Sequence, residues 1–167
     1  MKKEIACQFQ KAYTLEATGK TDVPAKSISI AIQLKTGLCV SSKMNSNQPA
    51  TIDPAQIRQK IVNKETFVVN VVTSWCPDCT QKQSPHLPLF IEKLSKHKIP
   101  CFQFVVQHER LQFLSQEHES LTLEFGGHGY PRTVLIINGK IQPDSKVEVV
   151  TADDLDAMAD DFIARTS

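Results

Sequence analysis

Thr66-Phe67-Val68-Val69-Asn70-Val71-Val72-Thr73-Ser74-Trp75-Cys76-Pro77-Asp78-Cys79 decides the fold. Residues 66–73 are β-branched and almost continuously apolar, the pattern of a strand buried on both faces of a sheet with helices above and below. After the second cysteine, residues 80–96 carry Leu87, Phe90, Ile91 and Leu94 at helical spacing. Cys76 therefore falls at or just before a helix N-terminus, where unpaired backbone N–H groups and the positive end of the helix dipole favour negative charge on sulfur. Cys79, one turn on, is placed to attack a mixed disulfide formed by Cys76. A C-x-x-C pair on a first helical turn can close a strained but allowed disulfide and reopen it. Strand, turn and thiols together point to redox chemistry.

Outward from this stretch, helices and strands alternate. Upstream, Asp53-Pro54-Ala55-Gln56 reads as an N-cap, a proline in the first helical position and a capping-box partner, followed by Ile57, Ile61 and Val62 as a buried stripe. Downstream, residues 99–106 form a second apolar strand, and residues 108–118 then carry Leu111, Phe113 and Leu114 on a helix. Residues 132–137 are a third strand, turned back into Ile141 by Asn138-Gly139, the strongest short hairpin signal. A short strand at 147–150 precedes a helix capped by Thr151 with Asp154, whose apolar face is Leu155, Met158, Phe162 and Ile163. This order predicts a mixed sheet covered on both faces.

Composition narrows the function classes. The chain has 167 residues, 41% of them hydrophobic, enough for one ordinary domain with a small appendage. A net charge of +1 gives no basis for nucleic acid or an anionic membrane as partner. No apolar run approaches the length of a bilayer span. Met1 to Cys7 is basic and ends in something like a lipoprotein cleavage site, but no apolar stretch lies between, so the reading is no export signal and a cytoplasmic location. Five cysteines, an odd count, then argue against a structural disulfide framework, with Cys7, Cys39 and Cys101 reduced and Cys101 a small core residue.

At residues of roughly 53 to 167 the chain resembles the thioredoxin superfamily. The resemblance rests on Trp75-Cys76-Pro77-Asp78-Cys79, on Gly129-Tyr130-Pro131-Arg132-Thr133 leading into an apolar strand, and on the strand, Asn-Gly hairpin, strand and capped helix that follow. It implies a three-layer α/β/α sandwich over 51–167 and a thiol–disulfide oxidoreductase of the protein disulfide reductase type. Cys76 would be the exposed nucleophile, Cys79 the resolving thiol, Trp75 the aromatic beside them, and Pro77 and Asp78 the residues between. Pro131 would be cis and face the thiols, with the Tyr130 backbone pairing with a substrate strand; proline there presents no N–H and no reactive side chain. The implied cofactor is the Cys76–Cys79 disulfide alone. The implied partners are a disulfide-containing protein or small molecule and an external reductant.

Departures from the family pattern accompany the matches. Where the family commonly buries an aspartate six residues before the nucleophile, this chain has Asn70, which cannot take a proton; the companion lysine falls at Gln103. Resolution must then use water, Asp78 or His128, which sits three residues before Pro131. A carboxylate at Asp78 disfavours negative charge on the neighbouring sulfur and pushes the couple toward the reducing half of the range from about −270 to about −120 mV. Pro85 and Pro88 fall inside the helix after Cys79, the first one residue later than the family's usual proline, so a kink or one-residue irregularity is expected. Two other classes stay open. One is a non-catalytic thioredoxin-like binding or adaptor protein, motivated by Asn70 and Gln103. The other is a metal-binding protein using Cys76 and Cys79 as half of a zinc site, or with His128 as a copper site, although no second C-x-x-C or C-x-x-H pair exists.

Residues 1–50 read as a β-rich appendage with a linker. Residues 27–34 alternate as a clean strand, Lys35-Thr36-Gly37 turns it toward 38–40, residues 7–15 are a third strand, and 41–50 are polar. A single apolar face is not stable as an isolated hairpin, so it should pack on the main domain or on another copy, making a homodimer or a docked partner the hypothesis for this region. A truncation lacking 1–50 that stays folded, monomeric like its parent and fully active removes that hypothesis.

Overall fold

The computed structural model describes residues 48–167; the strands and linker expected within 1–47 lie outside the described residues. The chain enters through β1 (Ala50–Thr51) and turns into α1 (Pro54–Val62). The Asp53 side chain accepts from the Gln56 N–H at 2.8 Å, and the Gln56 side chain accepts from the Asp53 N–H at 3.1 Å. Next come β2 (Phe67–Thr73), a single π turn (Asp78–Gln83), α2 (Leu87–Lys96) and β3 (Cys101–Glu109). The remainder is β4 (Gln112–Phe113), α3 (Gln116–Glu124), β5 (Arg132–Ile137), β6 (Lys140–Ile141), β7 (Lys146–Val147) and α4 (Ala152–Thr166).

The strands form one mixed sheet in the order β1-β3-β2-β5-β6, with β4 on the other end of β3 and β7 beside β5. β1 and β2 run parallel to β3, while β5 runs antiparallel to β2. Every residue of β2 is buried, as a central strand covered on both faces requires. One face carries α1 and α3 through Ile57, Leu121 and Phe125. The other carries α2 and α4, with Leu87, Phe90 and Leu94 against Leu155, Met158 and Phe162. Each such side chain contributes about 1.5–3 kcal/mol by leaving water. The three-layer α/β/α architecture with a mixed sheet is the one the sequence predicts. Asn138 and Gly139 have φ of 51° and 73°, and a Cβ on Gly139 would collide with the Ile61 carbonyl, so both the turn and the close approach demand glycine there.

Four local expectations are corrected. Residues 108–118 are not a helix: β3 continues through Glu109, turns at Arg110–Leu111 and returns as β4, and α3 starts only at Gln116, capped by Ser115. Leu111 is accordingly 85% exposed at the hairpin tip. The helix after Cys79 is not continuous, because the π turn ends at Gln83 and α2 begins anew at Leu87, with Pro88 in its first turn. Val62 is exposed rather than buried, since α1 ends there and turns it past the core. The strand at 147–150 is only Lys146–Val147, held to β5 at Arg132 and Thr133.

Candidate functional site

The site is assembled where β2 leaves the sheet. β2 ends at Thr73, Ser74 donates its N–H to the Gln107 carbonyl at 3.0 Å, and Trp75 follows at the rim. Cys76 opens the first turn: its carbonyl accepts from the Thr80 N–H at 3.1 Å and from the Thr80 hydroxyl at 3.0 Å. Bonding then lengthens to i+5, with the Ser84 N–H reaching the Cys79 carbonyl at 3.2 Å. This π turn is the one-residue irregularity expected from the late proline, and such turns frequently mark functional sites.

Cys76 and Cys79 lie 3.6 Å apart and both are free thiols. Their surroundings differ. Cys76 faces a cleft of about 470 Å³ lined by Trp75, Arg110, Leu111, His128, Tyr130 and Glu148, and its Sγ donates to the Tyr130 carbonyl at 3.6 Å. It is 7% exposed, so the exposed residue expected from the family resemblance is instead a buried thiol lining this cleft. Cys79 is deeper. Burial pushes its thiol up to about 12, the Thr73 backbone pulls the other way, and the neighbouring Cys76 raises it further. Beside Cys79 lies a second hollow of about 180 Å³ lined by Thr73, Ser74, Thr80, Ser84 and Gln103.

Trp75 is fixed by its indole N–H, which donates to Gln107 Oε1 at 3.1 Å, and by its edge contact with the Tyr130 ring at 6.4 Å between centroids. The Arg110 guanidinium lies 5.4 Å above the Trp75 ring, within cation–π range. The Tyr130–Pro131 peptide bond is cis. Burial pushes the Tyr130 phenol upward.

Behind the cysteines the expected neutral replacement takes a definite form. Asn70, fully buried, donates through Nδ2 to Gln83 Oε1 at 2.9 Å and accepts at Oδ1 from the Thr133 hydroxyl at 3.2 Å. Gln83 Nε2 in turn donates to the Val149 carbonyl at 2.9 Å. Gln103 pairs in register with Asn70 across β2 and β3 but lines the hollow beside Cys79 instead of joining this chain. Asp78 does not present an unpartnered carboxylate to the thiols: Lys82 Nζ sits 2.7 Å from its Oδ1, which weakens the expected push toward the reducing end. Pro77 caps the π turn with φ −62°. His128 lines the Cys76 cleft, its ring tilted against Phe113 at 6.0 Å.

Sequence reasoning missed three residues here. Gln83 and Thr133 complete the amide chain. Arg132, 6% exposed, donates from Nη1 to the Ser145 hydroxyl at 2.6 Å and the Phe125 carbonyl at 3.5 Å, and from Nη2 to the His128 carbonyl. It has no carboxylate partner among the described residues, and burial lowers its pKa. Gly126, at φ +108°, leaves room for it, since a Cβ there would stand 2.7 Å from Nη1. Arg132 thus ties down the loop that carries Tyr130 and Pro131 to Cys76. The available signal was a cation placed directly after Pro131, in a run that otherwise reads as interior strand.

No family model matches the chain, and no curated protein matches it. Solved structures do. The chain is similar to the J-Trx1 fragment of ERdj5, with a TM-score of 0.53, 16% identity, and coverage of 72% of this chain but only 52% of that one. It is similar to a point variant of thioredoxin from Halobacterium salinarum, with a TM-score of 0.50, 17% identity, and 74% and 96% coverage. It is also similar to mitochondrial thioredoxin 3 from Saccharomyces cerevisiae, with a TM-score of 0.50, 16% identity, and 68% and 94% coverage. Likeness at such identities speaks to fold, and the chain has a thioredoxin-like fold, with its two neighbouring thiols just after the central strand β2.

Proposed function

We propose that this protein is a thiol–disulfide oxidoreductase that reduces disulfides, with Cys76 as nucleophile and Cys79 as resolving thiol. The observation that carries the reading is a pair of free thiols 3.6 Å apart, Cys76 lining the wide cleft and Cys79 set deeper, where burial pushes its pKa up to about 12. Cys76, as thiolate, attacks one sulfur of the substrate disulfide. A Cys76–substrate bond forms, the substrate S–S bond breaks, and the leaving sulfur takes up a proton. Cys79 then loses its proton and attacks Cys76 Sγ. The Cys76–Cys79 bond forms, and the second substrate sulfur leaves and takes up a proton. The substrate disulfide gains two electrons and two protons, the protein dithiol becomes a disulfide, and an external dithiol reductant restores it.

Resolution depends on deprotonating Cys79. Once Cys76 is bonded to substrate, its hydrogen bond and charge no longer raise the Cys79 pKa, and burial alone opposes ionisation. Neither Asn70 nor Gln83 can accept the proton. The hollow beside Cys79 has Thr73, Ser74, Thr80 and Ser84 in its lining and is far larger than one water needs, so water there is the acceptor this reading assigns.

The test is reduction of a disulfide-linked peptide in the presence of excess dithiol, with Cys76→Ser as control. The reading expects the variant at the uncatalysed background. Wild type no faster than Cys76→Ser sinks it and favours a non-catalytic binding role.

A further inference from the structure

The β3–β4 hairpin bears a residue its own geometry does not favour. Glu109 pairs with Gln112, leaving Arg110 and Leu111 as a two-residue turn, and Leu111 has φ +66°. A left-handed conformation at the second turn position calls for glycine or asparagine, because a Cβ is strained there. The leucine gives the fold nothing in return, since it is 85% exposed. Its side chain instead lines the cleft that opens on Cys76. Another non-glycine residue of the same cleft, Glu148, is also left-handed, at φ +58°, with its N–H donated to the Pro131 carbonyl at 2.8 Å. Strained residues with no structural return cluster where a ligand is engaged.

Charge on the cleft is separated. Arg110 stands over Trp75 and makes no ion pair among the described residues. Glu148 lies toward the Asp78–Lys82 pair, whose lysine feels its charge. The rim beside Leu111 is therefore apolar and cationic.

We propose that the hairpin tip Arg110–Leu111 is a substrate-recognition element selecting a disulfide-bonded polypeptide that carries an apolar side chain and a carboxylate close to its cysteine. Leu111 meets the apolar side chain and Arg110 the carboxylate, while the substrate cysteine meets Cys76 in the cleft beside Tyr130. This rests on the oxidoreductase reading above and names its substrate class. A small uncharged disulfide reaches Cys76 without touching the tip.

The test compares two probes, a disulfide-linked peptide with Leu and Glu flanking its cysteine, and hydroxyethyl disulfide. In Leu111→Gly the ratio of kcat/KM for the peptide to that for hydroxyethyl disulfide is expected to fall about tenfold, through KM, with Leu111→Asn behaving alike. Because glycine and asparagine suit the turn, the thermal midpoint of both variants should equal or exceed the parent's. Arg110→Ala should lower the same ratio, and should do so less when Glu in the peptide is replaced by Gln. An unchanged ratio in Leu111→Gly overturns the recognition role while leaving the oxidoreductase reading intact. A wild type that reduces neither probe overturns both.

Discussion

The interior face behind Cys79 is neutral and hydrogen-bonded in series, whereas the cleft in front of Cys76 is charged, open and edged by left-handed residues. Thr133, Asn70, Gln83 and the Val149 carbonyl are linked without an ionisable group. Arg110, Asp78, Lys82, His128 and Glu148 gather on the other side. A buried polar group costs free energy unless it is hydrogen-bonded, and in this series each amide is bonded to its neighbour. The cleft bears no such constraint, so its residues are free to serve a ligand. The difference separates what holds the thiols in place from what brings substrate to them.

The sharpest way to break this division is at Arg132, which belongs to the interior yet shapes the cleft. Arg132→Leu strands the Phe125 and His128 carbonyls and is expected to lower unfolding stability by about 3 kcal/mol, read as a lower urea midpoint. Arg132→Lys should recover little, because an ammonium cannot reach three acceptors in a fork. A loss within about 0.5 kcal/mol would show that the loop does not depend on it.

A smaller effect sharpens the interior itself. Asn70→Val and Gln83→Leu should each cost about 1–3 kcal/mol, since each leaves one polar atom of the other buried amide without its partner. The double variant should cost less than the sum by at least about 0.5 kcal/mol. Strict additivity means the two amides act independently.

Alkaline pH probes the same side. Cys79 and Cys101 both have thiols raised by burial from 9.0 to about 12. Well below pH 9.0 these thiols are protonated in folded and unfolded chains alike and add no pH dependence. Between those values the unfolded chain releases protons that the folded chain keeps, so stability falls as pH rises. Cys101→Ala should make that fall shallower in urea titrations from neutral to alkaline pH. An equally steep fall in the variant would mean Cys101 does not feel its burial.

The smallest effect belongs to the cleft. Lys82→Ala frees the Asp78 carboxylate and should move the reduction potential toward the reducing end by less than about 20 mV, because the pair is half exposed and such pairs contribute at most about 1 kcal/mol. A larger shift would make Asp78 a principal determinant of the couple.

What the sequence disclosed follows from which signals are local. The β-branched run 67–73, the Asn138-Gly139 turn and the Thr151 cap are each written within a few residues and reappear as β2, the β5–β6 hairpin and the start of α4. The β3–β4 hairpin was hidden because its turn is Arg-Leu instead of a glycine or asparagine pair, while Leu111, Phe113 and Leu114 imitate helical spacing. Asn70 was visible as a departure from a family pattern, but its partner was not. Gln83 carries no signal of its own in the sequence, and the π turn, one residue longer than an α turn, directs it inward. Arg132 was hidden by the same rule that makes cores legible, that charged residues face water. A buried arginine held by two carbonyls and a hydroxyl, with its Nε unpartnered, has no signature in spacing.

The central claim is that Cys76 and Cys79 form one redox couple, and a redox titration tests it most directly. The protein is equilibrated in graded dithiol–disulfide buffers, its thiols are trapped by alkylation, and modified cysteines are located by mass. The account predicts a single two-electron step that maps to Cys76 and Cys79, with Cys101 protected in the folded protein throughout. No step at these positions, or a step that pairs either of them with a different cysteine, would contradict it.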